Sequence, residues 1–331
     1  MSSSTAELTA EPPRNQAHRA WPRSFAYVAL LIIVLLSACT TMLAMRRTST
    51  TFDEIVMIAG GARGFETGNF DIAPEHPPLT QYLYGLPVFL AGAKYPTEIK
   101  PPTDMGYRYR YAREFFWRVG NDPERVAFLG RLGAVASAAA LIVAVFFFTL
   151  RWGTAAAVLA AVLTAFLPDL LAHGGIAYND VPTALFVFVS LWAIDAAIRE
   201  PTAKRGVLAG VLTALAVCIK FSAAALAPIA VLLLAAGAIS ARFERTWLKR
   251  AALATLAGAL AGYLILVLVY RGDFVLTQFI YGMKYTFMHV NKGHGAPGYL
   301  LGNFNALGWW YFFPVVFFFK TPAALHLLGA L

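Results

Sequence analysis

"SFAYVALLIIVLLSACTTMLAMRRTSTTFDEIV", residues 24–56, decides the fold. Its first part, 24–45, is an unbroken apolar run, and about 20 such residues carry a helix across the hydrocarbon core of a bilayer. Directly behind it stand two adjacent carboxylates, Asp53 and Glu54, where the chain has just left hydrocarbon. The run sets the class of protein. The acids pose the functional question.

The rest of the chain repeats the first run. With 59% hydrophobic residues, 14% charged residues and a mean hydropathy of +0.61 over 331 residues, it is no ordinary soluble globule. The runs predict an all-α membrane protein, a multispanning helical bundle of about eight spans at 24–45, 130–150, 153–172, 181–198, 206–222, 223–240, 251–270 and 306–319, with a partial ninth at the C-terminus. The net charge of +9 suggests no nucleic-acid partner, because Arg14, Arg19 and Arg23 precede the first span while Arg199, Lys204, Arg205, Arg242, Arg245, Lys249 and Arg250 fill short loops. Basic loops stay in the cytoplasm. Segments 46–129, 173–180 and 271–305 therefore face the other side. Cys39 and Cys218 fall inside predicted spans and match no disulfide or metal-ligand spacing. "LLSAC" (35–39) resembles a lipoprotein processing site, but the apolar run continues past Cys39 to Met45, which favours a plain span.

Residues 1–23 are polar and rich in Ser, Pro and Arg, the composition of a disordered cytoplasmic tail; 24–331 is the transmembrane domain. In the outer loop 46–129, "PLTQYLYGLPVFLAGA" (78–93) is too short to cross and suits an interfacial helix, with Pro77 and Pro78 at its start and Lys94 at its close. Between the basic loops flanking 206–240, two tight crossings put the turn near Lys220, where an ammonium reaches the outer surface instead of the bilayer centre. The alanine-rich stretches 134–140, 154–161 and 251–261 offer small surfaces for close helix packing. The apolar run after "FFFKTP" is short of a full span, the pattern of a truncated chain.

The chemically interesting side chains collect on one side: Asp53, Glu54, Glu75 and His76, then His173, Asn179 and Asp180, then Lys220, then Lys284, His289, Lys292 and His294. Carboxylates and cations at one membrane face can bind an anionic lipid headgroup and act on it. Each residue also has a plainer reading. Asp53 and Asp180 suit helix N-caps, His76 and His173 can be satisfied by loop backbone, Lys220 can snorkel to headgroups, and outer loops such as 271–305 often carry stray charges.

Four stretches, "FDEIVMIAGGARGFETGNFDIAPEHPPL" (52–79), "PDLLAHGGIAYNDVPTALF" (168–186), "CIKFSAAALAPIAVLLL" (218–234) and "YLLGNFNALGWWYFFPVVFFFKTP" (299–322), together resemble the C-type glycosyltransferases of the dolichyl-phosphate-mannose protein mannosyltransferase and aminoarabinose transferase group. The resemblance implies an inverting enzyme that moves a sugar from a polyprenyl phosphate to a hydroxyl or phosphate of a protein or lipid, outside the cytoplasm of a bacterial inner membrane. By that resemblance Asp53 is the base, assisted by Glu54, and Asp180 is the second acid. Lys220, His76, His173, Lys284 and His294 are candidates for the donor phosphate. An inverting displacement needs such a division, with a carboxylate on the acceptor side and cations on the leaving phosphate. No cofactor is called for; a divalent cation bridging phosphate oxygens is compatible, although no compact Asp-x-Asp pattern specifies a metal site. A transporter or flippase for lipid-linked sugars would show ionisable groups at midplane and repeated halves, and the sequence has neither. A non-catalytic truncated homologue is the other alternative.

Overall fold

A computed structural model describes residues 21–70, 72–97, 106–292, 297–306 and 308–330. The tail up to residue 20 and His294 lie outside the described residues, as do the side chains of His289 and Lys292. The chain is an all-α membrane protein; among the described residues its only sheet is a hairpin of β1 (Gly298–Leu300) and β2 (Asn303–Asn305).

Five helical stretches are long and apolar enough to cross a membrane. They are α1 (Arg23–Met45), α5 (Pro123–Thr149) with the short turn that continues it to Trp152, α8 (Asp180–Arg199), α10 (Leu226–Ser240) with the 3-10 turn Phe221–Ala225 before it, and α11 (Arg245–Val269). α5 starts where Asp122 accepts hydrogen bonds from the N–H groups of Glu124 and Arg125 and Pro123 occupies the first helical position, where its missing N–H costs nothing.

The remaining predicted spans are shorter than expected. The run 153–172 is divided into α6 (Thr154–Ala165) and α7 (Pro168–His173), because Pro168 disfavours helical backbone at Leu167 and cannot continue the preceding turn. α9 (Ala203–Ile219) stops one residue before Lys220, whose extended backbone makes the predicted turn. α9 lies against α11 at Gly206, Gly210 and Gly258, where a Cβ would fall on the facing backbone. The small residues of 251–261 thus do what their size predicts. In place of a span at 306–319 a nine-residue helix, α13 (Phe312–Lys320), follows the hairpin, and α14 (Ala323–Ala330) comes after it.

The segment 46–129, expected as an outer loop, is more than a surface layer. It folds into α2 (Glu54–Thr67), α3 (Pro78–Leu90) and α4 (Gly106–Trp117). α3 has the predicted proline start. α2, however, is buried from Glu54 through Ala62 and shares a core with α4 and the N-terminal half of α5, built around Met57, Ile58, Phe115 and Phe116. It crosses α3 at Gly61 and Gly85, where neither helix has room for a side chain. α12 (Thr277–Lys292) is seated against the same layer at Gly282, which rests on the Pro74 carbonyl and the Phe221 ring.

Candidate functional site

The two acids behind α1 have different surroundings. Asp53 precedes α2, and its carbonyl accepts the N–H groups of Val56 and Met57, both at 3.1 Å. Its carboxylate makes no cap hydrogen bond. Instead Oδ1 accepts the Tyr109 hydroxyl at 3.0 Å, and the Tyr109 ring stacks on Phe52 at 4.1 Å between centroids. Burial, followed by the Asp53 charge, pushes the Tyr109 phenol above its ordinary value, so it stays a donor. Asp53 itself is half-buried.

Glu54 is fully buried. Arg131 of α5 grips it in a fork, Nε to Oε1 and Nη2 to Oε2, both at 2.9 Å. The backbone N–H groups of Thr51 and Ala177 donate to the same two oxygens at 2.7 and 2.8 Å. Burial alone would raise the carboxyl pKa, but the Arg131 hydrogen bond, the two backbone donors and the Arg131 charge together lower it. With each oxygen accepting twice, Glu54 ties α2 to α5 and to the loop before α8. It presents no open face to a substrate.

His76 sits in the turn between α2 and α3 with its side chain 14% exposed. Its Nδ1 lies 3.4 Å from Asn179 Nδ2, which can donate to it and so leave the ring proton on Nε2. On that side Nε2 is 3.8 Å from Glu75 Oε1, an oxygen that also takes the guanidinium of Arg108 from α4. Tyr178 packs edge-on against the imidazole at 5.6 Å. Burial pulls the His76 pKa down to about 4, against the opposing pull of Asp53 and Asp180 and with a smaller push from Lys220. The imidazole is therefore neutral near pH 7, accepting from Asn179 at Nδ1 rather than carrying a charge.

Around this ring the distant parts of the sequence meet. Asp180 occupies the first position of α8, and Lys220 Nζ, at the end of α9, bonds its Oδ1 at 2.8 Å, with the two side chains 47% and 36% exposed. The charges of Asp53, Asp180 and Lys220 all reach His76, and those of Asp53 and Asp180 reach Tyr178. The geometric link is Asn179, which contacts the His76 ring at 3.4 Å and directly precedes Asp180; Asp53 and Lys220 act on the ring through their charges. His173 ends α7, and its ring makes no hydrogen bond or ion pair among the described residues. Lys284 is exposed on α12, two residues beyond the Gly282 contact, without an ion pair among the described residues. Among the described residues, no three His, Cys, Asp or Glu side chains gather as a metal site.

Sequence reasoning missed Arg131, Arg108 and Tyr109. The first had a signal: an arginine inside the predicted span 130–150 needs a buried partner, and Glu54 was within the outer loop to supply it. Arg108 and Tyr109 sit in "GYRYRYARE" (106–114), where several Tyr and Arg alternate and nothing marks the two that bond Glu75 and Asp53.

Residues 108–270, just under half of the chain, match the family described as dolichyl-phosphate-mannose-protein mannosyltransferase. The matched stretch includes Asp180 and Lys220, while Asp53 and His76 precede it. No curated protein and no solved structure matches the chain.

Proposed function

We propose that the chain is a membrane glycosyltransferase that takes a sugar from a polyprenyl-phosphate donor and passes it, with inversion, to a hydroxyl or phosphate acceptor on the non-cytoplasmic face. The observation that supports this reading is the Asp180–Lys220 pair at the start of α8, next to Asn179 on the His76 ring, with the Asp53 charge reaching the same ring. The name of the matched family supplies the donor chemistry.

In the proposed step an acceptor hydroxyl approaches Asp53, whose Tyr109 bond fixes the carboxylate while its second oxygen carries no hydrogen bond among the described residues. Asp53 takes the hydroxyl proton as the acceptor oxygen forms its bond to the anomeric carbon. The bond from that carbon to the phosphate oxygen breaks on the opposite face. Lys220, half-open and held by one carboxylate contact, exchanges part of that contact for the leaving phosphate, a point charge meeting developing negative charge. His76 donates from Nε2 without adding a cation. Glu54 and Arg131 position Asp53 through the chain between them and do not touch the reactants. A divalent cation on the phosphate would share the work of Lys220.

We also propose a protein or lipid acceptor and a bacterial inner membrane; the charge pattern supports the non-cytoplasmic face alone. Incubating the purified full chain with labelled polyprenyl-phosphate sugars tests it. The expected result is loss of sugar from the lipid with wild type and none with Asp53→Asn. Retention of every labelled sugar on its lipid, or movement of intact donor across a bilayer without cleavage, would reject the transferase reading.

A further inference from the structure

We infer that a second binding site, separate from the cluster around His76, holds a phosphate group at the outer end of α1. It is a cavity of about 670 Å³ between the chain that leaves α1 and the start of α5, bordered by Arg46, Arg47, Arg125, Phe128 and Trp117. A volume of this size matches that of small-molecule sites.

Of the four arginines that border it, Arg46, Arg47 and Arg125 have no ion-pair partner among the described residues, while Arg131 is paired with Glu54. Arg46 lies over the Phe128 ring at 4.9 Å, a contact that leaves the edge of the guanidinium available. Arg47 and Arg125 are exposed. Two carboxylates share the border. Asp122 is occupied as the cap of α5, its Oδ1 accepting the N–H groups of Glu124 and Arg125 at 3.0 and 3.3 Å. Glu124 is exposed in the first turn of α5. The balance at the cavity is thus cationic.

The rear wall removes the groups that would oppose an anion. Arg131 turns its guanidinium inward and takes the carbonyls of Met45, Thr48 and Ser49 at 2.7, 3.0 and 2.8 Å. Those oxygens would otherwise present negative ends to the cavity. The sequence carries a matching anomaly. Arg46 and Arg47 follow the first span directly, on the side that the loop charges assign to the exterior, where the positive-inside pattern leaves no reason for a basic pair. A phosphate ligand supplies the reason. Arginine is suited to it because its planar fork meets phosphate oxygens in pairs. Trp117, 52% exposed, is of the type that settles at headgroup depth. Either the phosphodiester of an anionic phospholipid or a free phosphate would present this chemistry.

The test uses the full chain in detergent, titrated with short-chain phosphatidylglycerol and, separately, with inorganic phosphate, with binding followed by native mass spectrometry. Wild type is expected to retain phosphatidylglycerol, and an Arg46→Gln/Arg125→Gln variant to bind it about 25-fold more weakly, roughly fivefold for each arginine at a headgroup. Arg199→Gln, a change at an exposed arginine already paired with Asp195, is expected to change nothing. Displacement by inorganic phosphate identifies a site for the phosphate alone, and retention against it a headgroup site; either supports the inference. Equal binding by wild type and the double variant, equal loss with Arg199→Gln, or no retention by wild type overturns it. Arg47→Gln, which removes only an exposed side chain, provides the same reading if the double variant does not purify folded. Sugar transfer is not part of the readout, so this site and the transferase reading stand or fall separately.

Discussion

Two of the ion pairs that join separate elements, Glu54–Arg131 and Asp180–Lys220, are built for opposite ends. Glu54 and Arg131 are 0% and 2% exposed, meet through two 2.9 Å bonds and satisfy their remaining valences on backbone. Asp180 and Lys220 are 47% and 36% exposed and meet at one 2.8 Å bond. A buried pair stripped of one partner leaves a charge in low dielectric, whereas an exposed pair is worth little and can trade its partner for a ligand. The first pair sets positions. The second is available for binding.

Breaking the buried pair is expected to have the largest effect on the fold. Arg131→Met should cost about 3–5 kcal/mol, read as a lowered melting temperature in detergent, with part of it recovered in Glu54→Gln/Arg131→Met. An unchanged melting temperature for the single variant would show that Glu54 is not held as described. Asp53→Asn should leave melting intact and slow sugar transfer on the order of 100- to 10,000-fold; wild-type turnover would remove Asp53 from the role of base. Lys220→Ala should shift stability by no more than about 1 kcal/mol while raising the KM for the donor about tenfold, and an unaltered donor KM would reject its phosphate role.

The smallest effect separates the two regions by pH. His76, held at about 4 in the fold against an ordinary 6.5, takes up its proton in the unfolded chain first, so its contribution is intact above pH 6.5 and is lost as pH falls toward 4. Glu54 also has a lowered pKa, and its contribution is lost only as pH falls below its ordinary 4.5. Melting temperature should therefore decline between pH 6.5 and 4.5 in wild type and less so in His76→Gln. Parallel pH profiles for the two proteins would contradict the buried setting of His76.

Five of the eight expected spans were legible because about 20 apolar residues have few other uses, and the turn at Lys220 because a lone ammonium is costly at midplane. Pro168 divided α6 from α7 for a local reason that also stands in the sequence. The packing of α2 was not legible: "EIVMIAGGARGFET" (54–67) has the mixed character of an interfacial helix, and only the Gly61–Gly85 crossing explains how it is enclosed. At the site, residue types revealed Asp53, Asp180 and Lys220 as candidates, but not that Glu54 would be consumed by Arg131. That depends on which of two neighbouring acids points inward, a matter of helix phase set by contacts up to 123 residues away.

Those separations also bear on biogenesis. Glu54 receives its guanidinium from 77 residues later and its last backbone donor from 123 residues later. At ribosomal speeds the second interval is roughly 6–25 s. Glu54 therefore has only the Thr51 N–H beside it until α5 is made, and its set of partners is complete only when the chain has emerged past Ala177.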